Sequence, residues 1–294
     1  MPLYSIEHTT EYEYLFPVSV SHHAVCLQPL DLPCQTCREF SLTSDPMYQD
    51  YRTRKDYFGN TRGLFSIQEE HQTLSITAKS LVDAHGRAPE IGDFPMTCGQ
   101  AAELMKAGNS VPLEAMQYLF GSSRIPSDPV ETIRRYASSL FPPDKPLLQG
   151  CLDLMSDIKA NFTFDGEATD INTPVEDFMN LKRGVCQDFT HLSITLLRSL
   201  GLPARYVSGY ILSIPAPGQP RLEGADASHA WVSVYLPGEG WFDFDPTNHI
   251  FCADQHVTVA YGRDFDDVSL VRGAVTGGGQ HELKVAVTMK PVEG

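Results

Sequence analysis

Long apolar runs are missing from this 294-residue sequence, and no stretch approaches the roughly 20 residues that a membrane-spanning helix needs. The segment MPLYSIEHTTEYEY carries neither the basic cluster nor the apolar stretch of a secretory leader, so a cytoplasmic location and no membrane partner are expected. Positive charge is scarce: 22 Lys and Arg stand against 37 Asp and Glu, for a formal net charge of −15. A field of that sign repels phosphate backbones, and no basic run offsets it locally, so no nucleic-acid partner is expected. The seven cysteines are an odd number without the spacing of a disulfide framework. At least one thiol therefore stays unpaired within the chain, which fits a reducing compartment. Internal repeats and low-complexity tracts are absent.

What is present is the composition of a folded globular protein, 42% apolar and 20% charged, with a length that accommodates two domains. Residues 1–84 read as a β module of short strands: Tyr4–Tyr14, Val18–Leu27, Glu39–Ser44, Met47–Thr53, Asp56–Phe58, Thr61–Ile67 and Thr73–Val82. Turn residues such as Ser44-Asp45-Pro46 and Gly59-Asn60 separate them, and the regular spacing suggests a β-sandwich-like arrangement. Residues 85–149 are proline-rich with short helical segments, a helical connector. Within it, Asp128-Pro129 ahead of Val130, Ile133 and Ala137 reads as a cap, an N1 proline and an amphipathic helix. Residues 150–294 change to an α+β pattern. Leu152, Met155, Ile158 and Phe162 mark one helix, and Phe189, Leu192, Leu196 and Leu200 another. Strands follow at Arg205–Ile214, Ala230–Leu236 and Trp241–Asp245. A last alternating run, His281–Pro291, reads as a closing strand without an evident partner.

Cys186 sits where Arg183-Gly184-Val185 turns into the second of these helices, which Gly201 and Pro203 end. A thiol at a helix N-terminus feels the positive end of the backbone dipole, which favours the nucleophilic thiolate. Cys186, Phe189, Ser193 and Leu196 share a helical face, so the sulfur points toward the core. A nucleophilic thiol needs a base. His191 lies about 500° further along the helix at about 100° per residue, roughly 140° off the Cys186 direction, and reads as a structural or surface residue. His229 fits better, because it ends the Pro- and Gly-rich segment 215–225 and opens a strand, where functional side chains are commonly displayed. A five-residue hairpin loop at 236–240 sets 235 opposite 241 and 231 opposite 245. His229 and Asp245 are then diagonal neighbours on one face, whereas a four-residue loop separates them. In that arrangement His229 handles the thiol proton and Asp245 fixes its tautomer. The backbone N–H of Cys186 is a natural oxyanion donor.

The chain resembles the transglutaminase-like superfamily, in particular bacterial members with an N-terminal β module. The resemblance rests on Gly184-Val185-Cys186-Gln187-Asp188, on Leu200-Gly201-Leu202-Pro203-Ala204-Arg205-Tyr206, on Asp226-Ala227-Ser228-His229-Ala230-Trp231, and on Trp241 through Asp245-Pro246-Thr247-Asn248. It implies a papain-like α+β core with Cys186 as nucleophile, His229 as base and Asp245 as orienting carboxylate. The substrate implied is a peptide or protein amide. Asp243 lies on the same strand face and is the rival to Asp245, which the family pattern favours. The calcium-site regions of animal transglutaminases are missing, so no metal or other cofactor is expected and hydrolysis is expected over cross-linking.

Two other classes compete. Cys34-Gln35-Thr36-Cys37, with Cys26, His22 and His23 upstream, prompts a metal or redox site, but the spacing matches no zinc cluster and no helix follows the pair. A catalytically silent binding module on the same scaffold would more naturally have lost one of the three site residues.

Overall fold

A computed structural model describes residues 2–108, 111–213 and 228–292. The N-terminal part comprises β1 (Leu3–Val25), β2 (Gln35–Asp45), β3 (Gln49–Lys55), β4 (Thr61–Ile67) and β5 (His71–Ala84). The expected strands 4–14 and 18–27 are one strand, β1, whose pairing with β5 breaks register between Glu13 and Val18, around Pro17. Asp56–Phe58 is a turn rather than a strand. Asp56 Oδ1 accepts the backbone N–H groups of Phe58 and Asn60, each at 2.9 Å, a side-chain turn that competes with strand pairing.

Helices α1 (Cys98–Ala107), α2 (Leu113–Met116), α3 (Glu131–Leu140) and α4 (Leu147–Asn161) follow. Ile133 and Ala137 of α3 are buried as their spacing requires, but the helix begins at Glu131 after Val130. Asp128 is ion-paired with Arg134 instead of capping it. Next come β6 (Thr163–Phe164), α5 (Val175–Leu181), β7 (Arg183–Gly184), α6 (Cys186–Ser199), β8 (Ala204–Ile211), β9 (Ser228–Leu236), β10 (Gly240–Asp245) and β11 (Ile250–Phe251). The chain ends through β12 (His256–Gly262), α7 (Phe265–Val268), β13 (Val271–Gly277) and β14 (His281–Pro291).

The closing strand finds its partner in β1. β14 pairs with β1 from Tyr4↔Pro291 to Tyr14↔His281, and β13 covers the other half from Val18↔Gly277 to Val25↔Val271. Residues 271–291 therefore complete the N-terminal sheet and do not belong structurally with the rest of 150–294. Period-2 alternation marks the strand locally, but nothing local can name a partner some 270 positions away. The resulting seven-stranded sheet folds as two halves that share β1, one with β2, β5 and β14, the other with β3, β4 and β13. Val18, Leu42, Phe65, Ile67, Leu74 and Ile76, drawn from both halves, form the core between them.

A second, antiparallel sheet has the order β11-β10-β9-β8-β12. Leu192 and Leu196 of α6 share one core with Ala230, Val232 and Val234 of β9, and Tyr4, Ile6, Val287 and Met289 of the first sheet join that same core. Strand alternation puts His229, Trp231 and Ser233 of β9, Asp243 and Asp245 of β10, and Arg205 of β8 on the other face. The edge strand β12 is held by side-chain amides of the N-terminal part. Gln35 both receives the Thr258 N–H at 2.8 Å and donates to the Thr258 carbonyl at 2.8 Å. Asn60 does the same with Tyr261, at 2.8 Å in each direction.

Candidate active site

Cys186 is the first residue of α6 and is half-buried against the main core. The turn before it is tight. A Cβ on Gly184 would lie 2.4 Å from Asp188 Oδ2 and 2.9 Å from the Phe178 ring, so only glycine fits. The same Asp188 oxygen accepts the Val185 N–H at 2.8 Å and the Thr169 hydroxyl at 2.7 Å, fixing the start of the helix. Burial pushes the Asp188 carboxyl upward against these hydrogen bonds. At such a terminus the first backbone N–H groups have no intrahelical acceptor.

The β9–β10 hairpin pairs Gly240 with Leu236, Trp241 with Tyr235 and Phe244 with Val232, the register that places His229 and Asp245 diagonally on one face. Their side chains meet, with His229 Nε2 2.7 Å from Asp245 Oδ2. Cys186 is the other group close enough to act on the His229 ring. With Nε2 on the carboxylate, Nδ1 is the ring atom left for the sulfur. Burial by itself lowers the His229 pKa, but Asp245 and Cys186 outweigh it and push the ring up to about 10. The carboxylate and the neighbouring sulfur thus favour the protonated ring. Asp245 is fully buried, which alone raises its pKa, yet the hydrogen bonds from His229 and His256 hold it well below the usual carboxylate range.

The rival carboxylate is engaged elsewhere, since Asp243 Oδ2 accepts the indole N–H of Trp231 at 3.1 Å. His191 is buried rather than surface-exposed. Its Nε2 accepts the Phe265 N–H at 3.2 Å, and burial, with Arg124 and Arg198 nearby, pushes its pKa down to about 3. It lies with Tyr206 and α7 and takes no part in the Cys186 cluster. Cys34 is exposed, Cys37 is on strand β2, and all seven cysteines are free. Among the described residues no group of three or more His, Cys, Asp or Glu could hold a metal ion. The segment 215–225, along with Asp226 and Ala227, lies outside the described residues.

Two contributors escape sequence reasoning. Asn248 Nδ2 donates to Asp245 Oδ2 at 2.7 Å, while the N–H groups of Thr247 and Asn248 reach Oδ1 at 2.9 and 3.2 Å. An aspartate followed by Pro-Thr-Asn is a signature for this kind of side-chain turn, so that signal was available. His256 opens β12, and its Nε2 lies 3.3 Å from Asp245 Oδ2. Nothing in its local sequence announces this.

The architecture and site define an α+β protein with a helix-borne cysteine facing a histidine–aspartate pair on an antiparallel sheet. Residues 134–246 match the family described as the transglutaminase-like superfamily, and residues 4–83 match the bacterial transglutaminase-like N-terminal region. An uncharacterized protein of Mycobacterium tuberculosis is 36% identical over 297 residues, covering 99% of this chain and 93% of the relative. One from Mycobacterium leprae is 28% identical over 285 residues, covering 96% of each. The chain belongs to the transglutaminase-like superfamily, whose members include cysteine proteases and transglutaminases. A crystal structure from Cytophaga hutchinsonii named "Putative Cysteine Protease" shares the fold, with a TM-score of 0.79 and 20% identity over 100% of this chain and 91% of that one. A protein-glutamine gamma-glutamyltransferase of Pseudomonas aeruginosa is 35% identical over 78 residues, 26% of this chain and 12% of its own length.

Proposed function

We propose that the protein hydrolyses amide or peptide bonds through an acyl-thioester on Cys186. The observation that carries this reading is His229, held by Asp245 at 2.7 Å and lying beside the sulfur of Cys186 at a helix N-terminus. The sulfur attacks the amide carbonyl carbon, and the resulting oxyanion lies within the field of the unpartnered N–H groups at the start of α6, that of Cys186 first. As the C–N bond breaks, His229 gives its proton to the departing amine. Water then adds to the thioester carbonyl while His229 takes its proton, and the C–S bond breaks to release the acid and return the imidazolium next to the sulfur. Asp245 stays ionised throughout, orienting the ring and balancing its charge.

The test is to incubate the protein with a peptide library, look for an acyl adduct by intact mass, and map it. Hydrolysis products together with an adduct on Cys186 are expected. Turnover that survives Cys186→Ala would refute the reading. A second reading, acyl transfer to an amine, draws on the −15 net charge, which steers cationic lysine toward the molecule. Against it, an amine must outcompete water at about 55 M, which requires a water-excluding site. Offering cadaverine at millimolar concentration with the acyl donor separates the two: mainly free acid supports hydrolysis, and mainly amine adduct supports transfer with the same three residues.

A further inference from the structure

The outer face of the five-stranded sheet borders a half-open cavity of about 620 Å³, bounded on its other side by the segment around Pro33 and Cys34 and by Gly86, Arg87 and Pro89. Its walls include Phe94, Trp231, Trp241 and Phe242, and its charged groups are Arg205, Asp243 and the exposed Arg87, with His256 as the histidine. Neither Cys186 nor His229 is among these walls.

Arg205 is the unusual member. Its guanidinium is sandwiched between two rings, with Cζ 4.1 Å from the Trp241 centroid and 3.5 Å from the Tyr261 centroid. Both faces of the cation are thus covered, and only the N–H edge is left for polar contact. Among the described residues no carboxylate forms an ion pair with it, and Nε is buried without a hydrogen-bond partner. The nearby carboxylate, Asp243, is turned to the Trp231 indole. His256 contributes a second unmet atom, since Nε2 approaches Asp245 while Nδ1 is buried and unpartnered. Buried polar atoms are ordinarily satisfied, and of the nine among the described residues that lack a partner, these two belong to residues lining one cavity, where a ligand could supply it.

We propose that this cavity is a binding site for a carboxylate carried on an apolar or aromatic body, the carboxylate meeting the edge of Arg205 and the body lying against the tryptophan and phenylalanine walls. A guanidinium edge matches a carboxylate in a bidentate, charge-assisted pair. The aromatic walls reward removal of an apolar group from water. Either the free C-terminus of a peptide or a small organic acid meets this description. An occupant near His256 is one side chain from Asp245, so the site is placed to influence the candidate active site without being part of it.

The chain has two tryptophans, and both line this cavity, so intrinsic tryptophan fluorescence responds to its occupant; Trp231 also lies 6.1 Å from the His229 ring, so the Arg205 variants below are what assign the change to this site. Full-length protein is titrated with N-acetyl-L-phenylalanine and, separately, with its uncharged amide. The acid is expected to change the emission saturably and to bind about tenfold or more tightly than the amide. In Arg205→Gln that preference is expected to vanish. Arg205→Lys, which keeps the charge but not the fork, should retain only part of it. Thermal unfolding of the unmodified protein gives an independent reading, with the acid raising the transition and the amide leaving it in place. A peptide ending in free phenylalanine and 3-phenylpropionate then separate the two sources, and saturable binding of either supports the site. Equal binding of acid and amide, no saturable change with any carboxylate, or undiminished preference in a folded Arg205→Gln protein would overturn it.

Discussion

Asp245 is fully buried, and among the described residues no carboxylate accepts from more protein donors. Its two oxygens face five protein donors: His229 Nε2, His256 Nε2, Asn248 Nδ2 and the N–H groups of Thr247 and Asn248. That shell keeps a fully buried group ionised, and the charge favours the protonated ring of His229. Asp245→Asn is therefore expected to be severely impaired in turnover and Asp243→Asn far less so; the reverse order would move the acid to Asp243. His229→Ala should lose about 10²–10⁴-fold, while His191→Ala should melt earlier but keep its chemistry, and equal losses in kcat/KM would contradict these roles. The choice between the two aspartates was legible only through family pattern, because alternation puts both on one face. The structure separates them by giving Asp243 to the Trp231 indole. The same titrations set the pH range of stability. His229 has a folded pKa of about 10 against an ordinary 6.5, so its contribution is complete below 6.5 and is lost as pH rises through 10. Burial pushes His8 and His23 down to about 4 and His191 to about 3, so below 6.5 the unfolded chain takes up protons that the folded chain refuses. Each such proton lowers stability by about 1.4 kcal/mol per pH unit. The melting temperature is expected to fall from pH 6.5 toward 4, and a flat profile there would show that these histidines are not buried neutral.

At the scale of elements, the hairpin β9–β10 and the turn before α6 do the positioning, and both were readable because they are local. Pro237-Gly238-Glu239-Gly240 marks the turn and leaves a five- or a four-residue loop open, a choice that the Gly240↔Leu236 pairing decides, and a Gly before a helix start marks a close approach. The strand β8 carries a constraint that is invisible in sequence: a Cβ on Gly209 would lie 2.1 Å from the Val257 carbonyl oxygen and 2.5 Å from the Trp231 ring. Trp231 lies over that glycine, and β12 crosses close beside it. Gly209→Ala is expected to destabilise the protein by about 1–3 kcal/mol through overpacking and to shift tryptophan emission, because the indole must move. An unchanged denaturation midpoint and spectrum would show that the approach is looser than described. The expected cap at Asp128 illustrates the opposite failure, in which an adjacent arginine offered the carboxylate a charged partner and the helix began later at Glu131.

At the scale of the whole molecule, the N-terminal sheet and the transglutaminase-like core are built as one object. Three features tie them: β13 and β14 return from the C-terminal end to flank β1, Gln35 and Asn60 pair with the backbone of β12, and one apolar core joins Tyr4, Ile6 and Met289 to α6 and β9. A change of composition marks a boundary near residue 84, whereas the return strands carry no local mark of their pairing because their partners are distant in the chain. If the tie is structural, a chain truncated after Gly279 should fail to reach the native state. It loses β14, bares one edge of β1 from Tyr4 to Tyr14, and opens the shared core at Val287 and Met289. The milder test is Asn60→Ala, which removes two hydrogen bonds to Tyr261 and leaves that part of the β12 edge unpaired. It should cost about 1–3 kcal/mol and leave unfolding a single cooperative transition, since the remaining ties still hold the halves together. Two separate transitions in the unaltered protein, one for residues near 1–84 and one for the rest, would show that the halves fold independently.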